Sequence, residues 1–400
     1  MTLGITLALA AMAACAGSDE GNGIGPLTDR NDAGTLSPGE AGAADDAGDA
    51  DAAVTIDAGQ RECSTEGYCH TVLPKSQTLR GVWSDGAGVT WAVSEQGAIL
   101  RYDGSAWSVH ANLGEALWSI WGSGPTDIWI GGAGGLLHGE GASSASLVFT
   151  SVEAPGPSTP ILSIWGTGAG DVWATGNTNS FPLVGRVLHY SADTAKDGGA
   201  PRWSQEDVTK EQVLWARVFG SKASGVWIAG SWFNPAMGSR REIMVLRRSA
   251  GASDFAPEQL PRDPDTPTDR GDFELLYDAA VSIDGASMWI LGKTHGTTPA
   301  YASATSIDGG QTFTWTFART STATDPVFNA IGAVSTNAVW VVGDYGRLRH
   351  WNGSKWKQGV ISVSKFPLTN PFYAVGGREG DLWFVGEDIA LHRIPSKVEP

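Results

Sequence analysis

The feature that most constrains the fold is a pair of short apolar segments, Leu117–Gly122 and Asp127–Gly132. The first reads Leu-Trp-Ser-Ile-Trp-Gly and the second reads Asp-Ile-Trp-Ile-Gly-Gly. Tryptophan and isoleucine favour β-strands, and the serine, glycine and proline between the segments favour a short connection. The pair therefore predicts two antiparallel strands joined by a tight turn.

Both segments recur along the chain. The first returns as Leu79–Ser84, Ile161–Gly166, Trp215–Gly220, Tyr277–Ser282, Phe328–Ala333 and Phe372–Gly377. The second contains a tryptophan in each copy, namely Trp91, Trp129, Trp173, Trp227, Trp289, Trp340 and Trp383. Consecutive tryptophans lie 38 to 62 residues apart, and about 40–45 residues is the usual length of one four-stranded β-propeller blade. The sequence thus predicts an all-β, seven-bladed β-propeller, with these tryptophans packed between neighbouring blades.

The last copy predicts how the ring closes. Its third strand, Ala390–Ile394, is followed by six residues, so the fourth strand of this blade is missing. The segment Gly67–Leu73 lies at the matching distance before the first copy. We therefore expect Gly67–Leu73 to complete the seventh blade, which also covers edge strands that otherwise promote aggregation.

One turn carries a recognisable motif. Residues 306–313 read Ser-Ile-Asp-Gly-Gly-Gln-Thr-Phe, which resembles the Asp-box turn of sialidase-type and related propellers. The repeats as a whole, residues 79–393, resemble those of Asp-box and WD-type β-propeller repeat lipoproteins secreted by bacteria. The resemblance implies the fold and leaves the activity open, because propellers of this kind include sialidases, adhesins and assembly factors.

The N-terminal region predicts export. Residues 3–14 form an apolar run of 12 residues, too short to span a membrane and typical of a signal peptide, and Ala13 and Ala14 precede Cys15. This junction resembles a bacterial lipobox. It implies a signal peptide over 1–14, lipidation at Cys15 and anchoring to the bacterial outer membrane, on its periplasmic or cell-surface side. Plain secretion and a buried N-terminal helix with an incidental cysteine are the alternatives.

The segment 15–60 is expected to be a tether. Residues 16–59 contain ten acidic residues and one basic residue, which accounts for −9 of the formal charge of −16. The segment has no periodic apolar pattern, so it cannot bury enough apolar surface to offset its ordering entropy. We therefore expect a disordered acidic tether over 15–60, followed by the propeller domain over 61–400. Packing of this segment on the propeller is the alternative.

Composition narrows the range of partners. Binding to nucleic acid depends on clustered lysines and arginines, so the acidic composition of this chain argues against a nucleic-acid partner. No run of 18 or more apolar residues follows the N-terminus, so we expect the protein to contact the membrane through a lipid anchor only. We also expect a monomer. Cys63 and Cys69 predict a disulfide in an exported protein, whereas a metal site needs more ligands than the nearby His70.

Four histidines raise the question of a metal site: His138, His189, His350 and His392. Each falls near the end of a third strand, where other copies place Arg101, Arg247 and Ser306. Residues at one repeat position are spread around the ring and cannot converge on one ion. We therefore expect them to support turns, and we predict no metal and no cofactor.

A sialidase-like glycoside hydrolase is the enzymatic alternative. Tyr345 and Glu387 are candidates for its nucleophile and acid, and the Arg-Ile-Pro at 393–395 is similar to a sialidase motif. Sialidases, however, have six blades and need several arginines that converge on a carboxylate. The sequence also contains no nucleophile elbow, phosphate loop or dinucleotide fingerprint. We predict no catalytic residues.

Ligand-binding residues are expected at one end of the ring. Because neighbouring strands are antiparallel, the start of each first strand and the end of each second strand lie at the same end, and the loops there differ among copies. The candidates are Glu95, Trp232, Phe233, His295, Asp344, Tyr345 and Glu387. The best hypothesis is an extracytoplasmic propeller that binds or scaffolds a protein or glycan. A purely structural envelope component is a further alternative.

Repeats four and five are the longest. The proline- and acid-rich segment Asp254–Asp272 between them predicts a surface loop, and Ser231–Arg241 predicts a further insertion.

Overall fold

The computed structural model describes residues 62–394, except 75, 157–158, 179–183, 193–201, 210, 235–239, 267–270, 296–298 and 320–327. The predicted signal peptide, the lipidation at Cys15 and the tether over 15–60 lie outside the described residues and stay predictions. Within the described residues, no helix has the length and apolar character needed to cross a membrane.

The described chain consists almost entirely of β-strands, with one short 3₁₀ helix at Ser144–Ser146. The strands are β1 Tyr68–Thr71, β2 Leu79–Ser84, β3 Thr90–Ser94, β4 Ala98–Tyr102, β5 Trp107–Asn112, β6 Leu117–Gly124, β7 Asp127–Gly132, β8 Gly135–Glu140, β9 Val148–Val152, β10 Ile161–Gly168, β11 Asp171–Asn177, β12 Gly185–Ser191, β13 Arg202–Glu206, β14 Val213–Ser221, β15 Gly225–Asn234, β16 Arg240–Arg248, β17 Ala256–Glu258, β18 Phe273–Val281, β19 Ser287–Thr294, β20 Pro299–Thr305, β21 Thr314–Arg319, β22 Phe328–Ser335, β23 Ala338–Gly343, β24 Leu348–Trp351, β25 Trp356–Gln358, β26 Phe372–Arg378, β27 Asp381–Gly386 and β28 Ile389–Arg393.

In the described part of the chain, these strands form seven four-stranded sheets, which are the blades of a propeller. Blades 1 to 6 are β2–β5, β6–β9, β10–β13, β14–β17, β18–β21 and β22–β25, and blade 7 contains β26–β28 together with β1. The first strand of each blade, called the inner strand below, contacts the inner strands on both sides, and β26 contacts β2. The ring is closed, and the predicted seven-bladed β-propeller is confirmed.

The closing strand is β1, as predicted. It pairs antiparallel with β28 along its whole length. The buried Tyr68 hydroxyl accepts a hydrogen bond from Trp340 Nε1 of blade 6 at 3.2 Å. Thr71 Oγ1 accepts one from Trp107 Nε1 of blade 1 at 2.9 Å. Both blades adjacent to blade 7 therefore hold the strand that completes it.

The predicted disulfide between Cys63 and Cys69 is present at the start of this closing strand. The backbone N–H of His70 also donates to the carbonyl of Glu62 at 2.7 Å. The covalent bond and the hydrogen bond together hold the segment before β1 against β1 itself.

The second-strand tryptophans are buried between blades, as predicted, with exposed fractions of 0% to 4%. Between blades 1 and 2, for example, Trp91 packs with Leu117, Ile120 and Ile128 of the next blade. Burial of apolar surface contributes about 25 cal/mol per Å² to stability. The indole side chain of the second-strand tryptophan at each contact between blades therefore supplies much of the apolar area that holds neighbouring blades together.

The prediction of a surface loop over Asp254–Asp272 is wrong in part. Ala256–Glu258 forms β17, the fourth strand of blade 4, and pairs with β16. In the same segment Asp263 is 3% exposed and forms an ion pair with Arg319 of blade 5 at 2.8 Å. The strand has three residues with a proline at its centre, so neither alternation nor β-branched composition marks it in the sequence.

The turns joining first to second and third to fourth strands lie at one end of the ring, called the hairpin end. In three blades a third-strand histidine stacks on the second-strand tryptophan, with ring centres 3.8 to 4.3 Å apart. Its Nε2 lies 2.6 to 2.8 Å from an aspartate at the start of the second strand. The groups are Asp127–Trp129–His138, Asp171–Trp173–His189 and Asp381–Trp383–His392.

Each of these histidines lies in a different blade. Among the described residues, no three His, Cys, Asp or Glu side chains are grouped so that they could hold a metal ion. Each histidine contacts the tryptophan and the aspartate of its own blade, and His138 and His189 also lie near Glu140 and Glu206, so the histidines support the blade at its hairpin end.

In blade 5, the residue at the histidine position of the third strand is not the predicted Ser306. Trp289 lies opposite Ser303 and not opposite Ser306. Ser306 instead begins the following turn, where its Oγ accepts a hydrogen bond from the N–H of Gly310. Asp308 accepts hydrogen bonds from the hydroxyl and the N–H of Thr312, which lower the pKa of the Asp308 carboxyl.

Blade 6 keeps the stacked pair without the aspartate. His350 stacks on Trp340 at 4.3 Å, and Ala338 stands where other blades carry the carboxylate. His350 Nε2 is consequently buried with no hydrogen-bond partner. Burial, with Arg393 nearby, lowers the pKa of His350 to about 4.

Candidate ligand-binding site at the mouth of the channel

The inner strands begin at the end of the ring opposite the hairpins, called the mouth end. In all seven blades the register between inner and second strands shifts near this end, so an inner-strand residue bulges out of the ladder. Blade 5 has two such shifts, at Glu274 and at Tyr277. With Tyr277 taken for blade 5, the seven bulge residues are Arg80, Trp118, Leu162, Ala216, Tyr277, Asn329 and Tyr373. A β-bulge redirects a side chain out of the regular alternation. Here the bulges bring side chains from distant parts of the sequence to one rim.

Six bulge residues line a cavity of about 450 Å³, and its remaining lining residues are Glu95, Arg217 and Leu276. We call this cavity the mouth. Its aromatic side chains, Trp118, Tyr277 and Tyr373, are all partly exposed. Concave surfaces of this size, rich in aromatic side chains and holding a few polar groups, are typical ligand sites.

Arg80 forms the edge of the mouth where blades 7 and 1 meet. Its guanidinium lies 3.8 Å from the centre of the Tyr373 ring, and its Nε donates to Glu95 Oε1 at 2.8 Å. Burial raises the pKa of Tyr373, and Arg80 opposes that rise. Glu387, Asp344 and Glu95 raise the pKa further, which means that three carboxylates act on one tyrosine. Negative charge therefore exceeds positive charge around this side of the mouth.

Arg217 lines the mouth, and its partner Asp278 lines the channel below it. Each directly follows the bulge residue of its inner strand, and Arg217 Nε lies 2.6 Å from Asp278 Oδ1. Asp278 also accepts hydrogen bonds from the N–H groups of Ala279 at 2.7 Å and Ile331 at 2.9 Å. Burial raises the pKa of Asp278, and the adjacent guanidinium opposes this. The pair joins blades 4, 5 and 6 at the channel axis.

Three of the seven predicted binding residues lie around Tyr373. Glu95 lines the mouth itself. Asp344 Oδ1 accepts a hydrogen bond from Asn329 Nδ2 at 2.8 Å, so it lies just behind the lining. Glu387 pairs through its backbone with Thr78, beside the start of β2.

The other four predicted residues do not line the mouth. Trp232 is partly buried against the core between blades 3 and 4. Phe233 and Tyr345 are 60% and 71% exposed, away from the cavity lining. His295 Nδ1 lies 4.0 Å from a Glu274 oxygen, and its Nε2 is buried without a partner.

Sequence reasoning missed the bulge residues, although a signal was present. The second residue of the repeated segment differs among copies and includes arginine, tryptophan, leucine, asparagine and tyrosine. In six copies the residue before it is Leu, Ile, Trp or Phe, whereas in the fifth copy the bulge residue Tyr277 is itself the first residue of the segment and follows Leu276. A strictly apolar position followed by a variable one indicates that only the first belongs to the shared core.

No family model matches the chain, and no curated protein matches it by sequence. Solved structures with a similar fold include YCF48 bound to a D1 peptide, with a TM-score of 0.55 and 15% identity over 84% of this chain and 99% of that one. A streptogramin B lyase has a TM-score of 0.55 and 14% identity over 81% and 95%. PorZ, a surface component of the type-IX secretion system of Porphyromonas gingivalis, has a TM-score of 0.53 and 15% identity over 78% and 46%. At these identities the likeness shows the propeller fold alone.

Proposed function

We propose that this chain is an extracytoplasmic propeller that binds or scaffolds a protein or glycan partner at the mouth. The observation that carries the proposal is the set of bulge residues, because six of them place five residue types around one cavity. Residues that only pack blades together repeat, as the second-strand tryptophans do. Propellers of similar fold include a peptide complex and a bacterial surface component, which agrees with a binding role.

In this proposal the mouth binds its partner without changing it. Arg80 and Arg217 are the arginines that line the cavity, and each is paired with a carboxylate, Glu95 and Asp278. A sialidase-like site would need arginines available to hold a substrate carboxylate. The two internal ion pairs therefore favour a binding site over a hydrolase site.

We also infer that the chain is an exported, monomeric lipoprotein of the Asp-box and WD-type group, held to the outer membrane through Cys15. The Cys63–Cys69 disulfide supports export, because disulfides persist in oxidising compartments. Cys15→Ala should move the protein from the membrane fraction to the soluble fraction. A variant that stays in the membrane fraction, together with a parent mass that includes no lipid, would refute the anchor.

The binding proposal is tested with the full chain immobilised and exposed to envelope extracts. The double variant Trp118→Ala, Tyr277→Ala removes two aromatic walls of the mouth and should abolish capture of the partner. The matched control, Phe233→Ala, Tyr345→Ala, removes two exposed aromatic residues outside the mouth and should capture normally. Loss of capture in the control alone would move the site to the loops. Normal capture by both would reject an aromatic site at this end.

A further inference from the structure

Below the mouth, the central channel has an aromatic side. Trp83, Trp121 and Trp165 occupy the same position in the inner strands of blades 1, 2 and 3, directly opposite second-strand tryptophans. Their second-strand partners are buried, whereas these three residues are partly exposed and line the channel. They form a row of aromatic side chains, one in each of three consecutive blades, called the wall below.

Glycines of the next blade make room for this wall. A Cβ atom on Gly122 would lie 2.9 Å from the Trp83 ring, and one on Gly166 would lie 2.8 Å from the Trp121 ring. No side chain other than hydrogen fits at that separation. Each ring is therefore packed against the neighbouring inner strand, and its position is set by that contact rather than by the contents of the channel.

The opposite side of the channel carries small residues. The residues equivalent to the three tryptophans are Ala280, Gly332 and Gly376 in blades 5, 6 and 7. The channel has a volume of about 530 Å³, within the 300–1,000 Å³ range of small-molecule sites. We call the space between the tryptophan wall and these three small residues the slot.

The charges of the channel favour an anionic ligand. The charged residues of its lining are Arg80, Arg217, Lys222 and Asp278. Arg80 is paired with Glu95, and Arg217 with Asp278. Lys222 follows the inner strand of blade 4 at the hairpin end, is exposed, and forms no ion pair with a described residue. Lys222 is therefore the one charged residue of this lining that has no ion-pair partner among the described residues, and it would attract an anionic group in the channel.

The hydrogen-bonding groups of the slot favour an aromatic ring over a sugar ring. Ser119 Oγ accepts from the N–H of Ile164 at 2.9 Å, and Ser163 Oγ donates to the carbonyl of Val218 at 3.2 Å. These hydroxyls are already engaged in joining blades. A sugar in the slot would leave several of its own hydroxyls without partners, which costs binding energy.

We propose that the slot, which lies below the mouth in the same channel, is a second binding site for a planar aromatic molecule with one anionic group. The ring packs on the wall of Trp83, Trp121 and Trp165, and the anion lies toward Lys222. This inference does not depend on the partner of the mouth.

The test uses 8-anilinonaphthalene-1-sulfonate as the probe and N-phenyl-1-naphthylamine as its uncharged analogue. Titration of the full chain should give saturable binding with quenching of tryptophan emission. Ala280→Leu and the larger Ala280→Trp add bulk to the side of the slot that carries small residues and should weaken both probes about tenfold or more. Lys222→Ala should weaken the sulfonate about three- to tenfold and leave the uncharged probe unchanged.

Controls separate the slot from other apolar surface. Phe366→Ser with Tyr345→Ser removes two exposed apolar residues outside the channel and should leave binding unchanged. Loss of binding in that control with full binding in Ala280→Leu would place the probe on the exterior and overturn the proposal. Displacement of the probe by glucose but not by indole-3-carboxylate would also overturn it. If Ala280→Trp melts more than about 5 °C below the parent, Ala280→Leu decides the test.

Discussion

The hairpin end and the mouth end are built from the same strands but use them differently. At the hairpin end, three blades carry the same Asp–Trp–His group, and the tryptophan of each group packs on an aromatic side chain of the next blade. At the mouth end, a bulge in every blade presents a residue that differs around the ring. In this propeller, residues that recur in several blades hold neighbouring blades together. Positions whose residue differs from blade to blade, such as the bulge positions, form a surface that is available to a partner.

The largest effect is expected from opening the ring, because both ends depend on closure. Deleting residues 62–73 removes β1 together with Tyr68 and Thr71, which bond blades 6 and 1. The deletion should prevent folding, cause aggregation or lower the melting temperature by about 10 °C or more. Deleting residues 16–58 is the matched control and should leave the melting temperature unchanged. Equal melting of the two truncations would argue against closure by β1.

Removing one carboxylate of the hairpin end should have the next largest effect. Asp171→Ala removes the hydrogen-bond acceptor of His189, Thr167 and Trp173 and should cost about 2 kcal/mol of unfolding free energy. Burial opposes a lower pKa for Asp171, but the hydrogen bonds from His189 and Thr167 lower it overall. The parent should therefore lose this stability as pH falls below about 4, and the variant should lose less over the same range.

Urea unfolding of Asp171→Ala at pH 7 and pH 3 measures both quantities. Asp265→Ala is the control, because that side chain is 76% exposed and should change stability by less than about 0.5 kcal/mol. Equal losses in the two variants at pH 7 would show that the Asp–Trp–His group does not stabilise its blade.

A smaller gain is expected from completing the group that blade 6 lacks. Ala338→Asp places a carboxylate opposite the unpartnered His350 Nε2 and should add about 1 kcal/mol at pH 7. In the parent, the pKa of His350 is lowered from 6.5 to about 4, so the unfolded chain binds a proton that the folded chain does not. Parent stability should therefore fall as pH drops from about 6.5 toward 4, by at most about 1.4 kcal/mol per pH unit.

The new carboxylate should raise the pKa of His350 and weaken this pH dependence. Ala338→Asn supplies an acceptor without a charge and is the matched control. Denaturation at several pH values between 4 and 7 compares the three proteins. An identical pH dependence in all three would show that the histidine does not titrate as the structure indicates.

The smallest effect on stability is expected at the mouth. Trp118 and Tyr277 are partly exposed bulge residues, so Trp118→Ala with Tyr277→Ala should lower unfolding free energy by less than about 1 kcal/mol. Chemical denaturation beside the capture assay makes the distinction. A loss of several kcal/mol would mean that the mouth is part of the packing core, and the contrast between the two ends would fail.

Much of the fold was predictable because its signals are local and repeated. The Trp-rich strand pairs, the count of seven and the closing role of Gly67–Leu73 all follow from comparing one copy with the next. The short strand Ala256–Glu258 was not predictable, because it pairs through three residues and its sequence resembles a loop. The repeat position predicted for Ser306 belongs to Ser303, three residues earlier. The prediction was wrong because Ser306 begins the turn motif that follows the third strand.

The sequence predicted binding residues at the mouth end, and the structure places three of the seven around the candidate site. Glu95 lines the mouth and Asp344 and Glu387 lie behind it, while Trp232 packs into the core. A loop position shows which end of the ring a residue occupies. It does not show how far the residue lies from the axis, and that distance depends on the path of neighbouring blades.

By itself, the sequence determined the architecture: a strand pattern repeated seven times can bury its tryptophans only by packing each blade on the next. Only the tertiary structure decided which side chains remain accessible. Trp83 and Trp91 belong to paired strands of one blade and look alike in sequence, yet the first lines the channel and the second is buried. The reason is that the channel is formed by inner strands of all seven blades, which come together only when the ring closes. A local sequence pattern does not record which side chains line that channel.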